Sequence, residues 1–213
     1  MYPTRCARTV FPAMRQALTH LKRRDPVLRE VIAAAGPYRI VYREPDFDTL
    51  VRSIVYQQVS GKAAVAVYRK LAAKAGAPVT AERIARLRTP SLRAAGLSGQ
   101  KVSYLRDLAR RTLRGELDLS RLSSLPDEEV IRQLTEVRGI GVWTAQMFLI
   151  FALRRPDVLP VTDLGIRTAM KQLYGLSELP KPPAMHEIAA RWVPYRSVAS
   201  WYLWRMLDGP ATL

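Results

Sequence analysis

Apolar side chains recur along this chain at the three- and four-residue spacing that lines one face of an α-helix. The rhythm predicts helices over about Pro12–Arg23, Pro26–Ala35, Phe47–Val59, Gly61–Ala75, Ala81–Leu87, Ser91–Ala95, Lys101–Arg114, Asp127–Thr135, Val142–Leu153, Leu164–Tyr174, Met185–Ala190 and Tyr195–Leu207. Breakers fall between them: Gly36-Pro37, Gly76 to Pro78, Thr89-Pro90, Gly96 to Gly99, Gly115, Gly139, Pro156, Pro160 and Pro180 to Pro183. Alternating patterns are scarce, and only Tyr38–Arg43 reads as extended. Short helices joined by short loops, without an internal repeat, make an all-α protein. Helices at both ends and a middle block of its own predict two lobes with a cleft between them. The central lobe covers about residues 47–162 and carries a hairpin at 137–143; the second joins about 1–46 to 163–213.

At 213 residues and 48% hydrophobic, the chain can bury one sizeable core or two small ones. Charge changes the picture more. Lys and Arg number 34 against 18 Asp and Glu, a net charge of +16. A folded chain this basic points to a polyanionic partner, nucleic acid first and an anionic membrane surface second. The cations are spread along the chain and not gathered on one amphipathic helix, which weighs against the membrane. The longest apolar run, Met147–Leu153, is too short to span a bilayer. Cys6 is the only cysteine, so no internal disulfide forms and a reducing compartment fits. His20 and His186 lie far apart, and no spacing resembles a zinc site. Met1–Arg24 has several Arg and no acidic residue; helical rhythm from Ala13 to Leu21 favours a basic opening helix over a transit peptide.

The most specific segment is Val137-Arg138-Gly139-Ile140-Gly141-Val142-Trp143-Thr144-Ala145. A helix runs into a glycine pair and a second helix starts at once. Gly139 and Gly141 permit positive φ and put no Cβ in the way. Backbone N–H groups at the second helix's N-terminus can then hold a phosphate oxygen, aided by the helix dipole. Such a grip reads no base sequence. The same residues also suit an ordinary tight helix–helix turn. One helix later, Asp163 stands where a new helix begins. It reads as an N-cap, with Thr162 able to share that role, or as a carboxylate facing the sugar of a bound nucleotide.

These segments resemble the helix-hairpin-helix glycosylases, whose signature is the hairpin, a Gly/Pro-rich loop and an essential Asp. Within that superfamily they are similar to the 3-methyladenine, alkylation-repair branch in its compact form. Ser53-Ile54-Val55-Tyr56-Gln57-Gln58-Val59-Ser60 resembles the first core helix and its wedge turn. Gly96-Leu97-Ser98-Gly99-Gln100-Lys101 resembles the entry to the central helix, and Arg191-Trp192-Val193-Pro194-Tyr195-Arg196-Ser197 through Trp204 the closing helix. The likeness runs from about Asp25 to Asp208. Two departures stand out: Val137-Arg138 replaces a frequent Leu-Pro, and there is no room for the extra β-domain of larger bacterial members.

The resemblance implies a monofunctional base-excision-repair DNA glycosylase that flips an alkylated base from double-stranded DNA and hydrolyses its N-glycosidic bond. Asp163 becomes the catalytic carboxylate, stabilising the oxocarbenium-like sugar. Tyr56, Trp143, Met147 and Trp204 become base-pocket residues, though Trp and Met at helical spacing also suit plain core. Gln58 becomes the wedge that fills the emptied stack, with Gln57 packing or hydrogen-bonding at the same turn. Gly139, Ile140, Gly141, Trp143 and Thr144, with Lys101, Arg138 and Arg167, become phosphate contacts. Relatives that also cut the strand carry a lysine where this chain has Trp143. The hairpin carbonyls of Val137 and Ile140 would admit a Na+ or K+ ion, and no other cofactor is expected; the default assembly is a monomer. Alternatives at this point are a same-fold glycosylase for ethenoadenine, hypoxanthine or uracil, and a non-catalytic damaged-DNA-binding module.

Overall fold

The computed structural model describes residues 10–208, so Cys6 lies outside the described residues. Among them the chain folds into twelve α-helices and two short 3-10 turns, with no strand. In chain order the helices are α1 (Val10–Arg24), α2 (Pro26–Ala35), α3 (Phe47–Tyr56), α4 (Gly61–Ala75), α5 (Ala81–Arg86), α6 (Thr89–Ala94), α7 (Gly99–Leu113), α8 (Asp127–Thr135), α9 (Val142–Phe151), α10 (Leu164–Leu173), α11 (Pro182–Ala189) and α12 (Arg196–Asp208). The 3-10 turns, Leu122–Ser124 and Ala190–Trp192, carry no signal in the apolar rhythm.

Polar residues placed before the apolar runs explain where many helices begin. Asp25, Asp46, Ser60, Thr80, Ser98 and Asp163 each accept a backbone N–H of the first turn behind them. Two expectations are corrected. Tyr38–Arg43 is not a strand, because among the described residues no strand pairs with it; Arg43 N–H donates to Phe151 O, 2.9 Å. The helix expected over Phe47–Val59 stops at Tyr56, because Gln57 turns to ψ 133° and Gln58 to φ 54°.

The chain divides into two compact units. One joins the chain up to Val41 to everything from Arg155 onward, and the other is Tyr42–Arg154. Residues 155–162, grouped from sequence with the hairpin lobe, fall in the first unit, and Leu159 is part of that unit's core. That core gathers Leu21, Leu28, Ile166, Met170, Trp192 and Tyr202 from α1, α2, α10, α12 and the turn at Trp192. At its edge the fully buried Asp25 accepts Val27 N and Leu28 N on one oxygen, and Tyr174 Oη (2.6 Å) and Trp192 Nε1 (2.8 Å) on the other. In the second unit α7 is the hub and packs along α5, α6 and α3. The apolar helix α9 is buried through Phe148, Leu149 and Ile150. No helix among the described residues is long and apolar enough to cross a membrane.

Candidate active site

In the second unit, α8 ends at Thr135 and α9 begins at Val142, so residues 136–141 form the hairpin turn. Gly139 has φ +82°, and a Cβ there would stand 2.1 Å from the Tyr104 ring, so only glycine fits. Gly141 differs from expectation. Its φ is −94°, which any residue adopts, and nothing lies within 4 Å of where its Cβ would be. Its service is an open approach to the start of α9, where no side chain caps the helix. A helix N-terminus reached this openly, with the positive end of its dipole, suits an anion.

Three side chains fix this turn from outside. Asp107, 8% exposed on α7, accepts the backbone N–H of Arg138 (2.9 Å) on the oxygen that also takes Arg111 Nε, while Arg110 holds the other oxygen at 2.7 Å. Burial pushes the Asp107 carboxyl up, but the bonds from Arg138, Arg110 and Arg111 outweigh it and leave the group below the usual carboxylate value. Gln57 donates from Nε2 to Gly139 O, 2.7 Å. Tyr104 supplies the floor beneath Gly139. Neither Asp107 nor Tyr104 carries a sequence signal, since each meets the hairpin only after the chain folds back.

The expected phosphate contacts separate into groups. The Arg138 side chain is exposed at the turn, and Trp143, 44% exposed, and exposed Gly141 lie beside it, whereas Ile140 and Thr144 are buried. Lys101 departs from expectation: its ammonium donates to Val55 O and Gln57 O, both 2.7 Å, and so caps the C-terminus of α3. Arg167 is tied by Nε to Pro180 O, 3.1 Å. Of the expected pocket residues, Tyr56 and Met147 are half-buried in the same unit as Trp143. Gln58 is exposed at its left-handed turn.

In the first unit, Asp163 is the N-cap of α10 and 9% exposed. Its Oδ1 accepts Ile166 N (2.8 Å) and the indole Nε1–H of half-buried Trp204 on α12 (3.0 Å). Thr162 is exposed and leaves the capping to Asp163. Gly165, which sequence reasoning passed over, makes room for the contact: a Cβ there would lie 3.0 Å from Asp163 Oδ1 and 3.3 Å from Trp204 Cδ1. The loop carrying Asp163 is held at its other end by the start of α12, the helix that carries Trp204. Ser197 Oγ accepts Val158 N–H (2.9 Å) and donates to Arg155 O (2.7 Å), and Arg196 pairs with both oxygens of Asp157 at 2.7 and 2.9 Å. A carboxylate oriented this firmly needs little reorganisation to act on a charge developing beside it.

Residues 51–195 match the family described as HhH-GPD superfamily base excision DNA repair protein. The chain is 32% identical to the Schizosaccharomyces pombe DNA-3-methyladenine glycosylase 1 over 92% of its own length and 89% of that protein's. A solved structure of the S. pombe 3-methyladenine DNA glycosylase in complex with abasic DNA superposes with TM-score 0.80, at 31% identity, covering 91% of this chain and 97% of that one. The Bacillus halodurans DNA-3-methyladenine glycosidase does so with TM-score 0.81, at 35% identity, covering 91% and 92%. With an uncapped helix behind a glycine hairpin and a buried, indole-held aspartate at the next helix start, the chain belongs to the HhH-GPD superfamily of base excision DNA repair proteins.

Proposed function

We propose that this protein, acting as a monomer, removes alkylated bases of the 3-methyladenine and 7-methylguanine type from double-stranded DNA. The observation that carries the reading is Asp163, a buried carboxylate whose Oδ1 is oriented by Trp204 and by the first turn of α10. The alkylation-repair names of the relatives support the lesion class.

The bond from C1′ to the base nitrogen breaks, its electron pair leaves with the base, and positive charge builds on the sugar. Asp163 stabilises that charge in the transition state, orients the water that adds to C1′ and accepts the proton that this water gives up. A base methylated on a ring nitrogen is already cationic and leaves without a general acid. Aromatic side chains favour such an electron-poor base through stacking and cation–π attraction; Trp143 and Tyr56, with Met147, would offer such faces in the second unit, and Trp204 in the first. Gln58 fills the gap in the stack. The start of α9 and Arg138 grip the phosphate. Trp143 has no amine, so no Schiff base forms there and the strand stays intact.

The Val137 carbonyl accepts Ile140 N–H at 3.0 Å and keeps a second lone pair. Carbonyl oxygens of this kind suit a Na+ or K+ ion, so Val137 and Ile140 would hold one. Bound there, it would supply positive charge beside the phosphate.

The test is base release from methylated duplex DNA by the native chain and by Asp163→Asn. The native chain releases 3-methyladenine or 7-methylguanine, with strand breaks only after alkali. Asp163→Asn binds the DNA and releases nothing. Equal release by both would remove Asp163 from the chemistry, and strand cleavage without alkali would overturn the monofunctional reading.

A further inference from the structure

The wedge turn and the hairpin are built as one piece. At the end of α3, Lys101 of α7 donates to the carbonyls of Val55 and Gln57, both at 2.7 Å. The side chain of that same Gln57 crosses to the hairpin and donates to Gly139 O at 2.7 Å. The Gly139–Ile140 peptide is therefore held on both sides, since its N–H donates to Val137 O. Between these ties the neighbouring Gln58 is exposed and keeps φ 54°, a left-handed conformation that a glutamine rarely adopts unless its surroundings impose it.

We infer that Gln57 and Lys101 are positioning residues that lock the stack-filling Gln58 to the phosphate-gripping hairpin. The inference rests on the wedge reading of Gln58 given above. Neither residue would touch sugar, base or phosphate. Their service is to present Gln58 in a fixed place relative to the gripped phosphate, so that insertion does not first have to order the turn. The burden of losing either residue falls on base extrusion and not on bond cleavage. A target base that is already unpaired needs little help in leaving the stack, and this separates positioning from general structural support.

The experiment is single-turnover release of 7-methylguanine from two duplexes, one with the base paired to cytosine and one with it opposite an abasic site. Gln57→Ala and Lys101→Met slow release from the paired duplex about tenfold, the same direction as Gln58→Ala, and stay within about twofold of the native chain on the opened duplex. Lys101→Arg, which keeps donors for the two carbonyls, recovers most of the paired-duplex rate. Equal losses on both duplexes, or no loss on the paired one, would overturn the positioning role while leaving the wedge intact if Gln58→Ala still discriminates. Should Gln58→Ala treat both duplexes as the native chain does, the wedge reading fails and takes this inference with it. Gln57→Ala lies at a part-exposed turn, so it serves as the test if Lys101→Met folds poorly.

Discussion

Asp163 shows what one residue inherits from its neighbours in sequence and what it inherits from the fold. Its cap of Ile166 N–H is local, three positions along the chain, and for that reason a helix start at Leu164 was readable from an aspartate before an apolar run. The bond from Trp204 spans 41 positions and was not readable. Trp204 was expected for its aromatic face; what the structure shows is its edge, bonded to Asp163. Replacing it with Phe keeps a ring and removes the donor. Hydrogen bonds to a carboxylate contribute about 1.5–3 kcal/mol, so Trp204→Phe is expected to slow base release roughly ten- to hundredfold. Single-turnover rates with the base opposite an abasic site isolate this from flipping. A rate equal to that of the native chain would show that the Trp204 bond is not needed to orient Asp163. Gly165 has the complementary dependence, since its missing Cβ is what admits the indole edge.

At the scale of elements, helix existence was legible almost throughout and the linkages between helices were not. Apolar periodicity and caps are properties of short stretches, and they located α2, α4 and α8 to the residue. The cations of α7 carried no such signal and looked like solvated or phosphate-binding charges. In the fold Lys101 caps α3, and Arg106 caps the C-terminal end of α5 through the carbonyls of Ile84, Ala85 and Leu87. Asp107 holds the hairpin, and Asp48 plays the matching part in α3, bonding Tyr68 Oη, Val79 N–H and Arg52 Nε. Burial raises the Asp48 carboxyl, but those bonds and the Arg52 charge outweigh it and hold the group below its ordinary value of 3.8, as they do at Asp107. A carboxyl whose folded value is depressed gives stability that is complete above the unfolded value and is lost as pH falls through the folded one. Stability to urea should therefore hold from neutral pH to about 4 and decline below it. Asp107→Asn and Asp48→Asn lower stability at pH 7 and each flatten that acid limb; an unchanged limb in both variants would place the acid sensitivity elsewhere.

For the whole molecule, the net charge of +16 was legible as a count but not as a map. A charge that binds DNA and a charge that holds the fold look alike in a sequence. The structure separates several of them. Arg110, Arg111, Arg132, Arg52 and Arg196 are paired with carboxylates, and Lys101 and Arg106 face carbonyls. Arg138 has its side chain exposed at the hairpin, while only its backbone is engaged by Asp107. Each phosphate neutralised by a cation releases condensed counterions, so log affinity falls linearly with log salt by about 0.9 per contact. Affinity for undamaged duplex should accordingly weaken steeply as salt rises, through contacts that carry no sequence information. Arg138→Ala is expected to reduce the slope by about one contact, or roughly 0.9. Lys101→Met should leave the slope unchanged, because its ammonium serves Val55 and Gln57. Filter binding or anisotropy across a salt series measures both slopes in one design. A flat dependence for the native chain would mean that the basic surface does not face the DNA backbone. A reduced slope in Lys101→Met would mean that its ammonium leaves the α3 carbonyls for a phosphate when DNA binds, and the clamp at the wedge turn would then belong to the unbound protein alone.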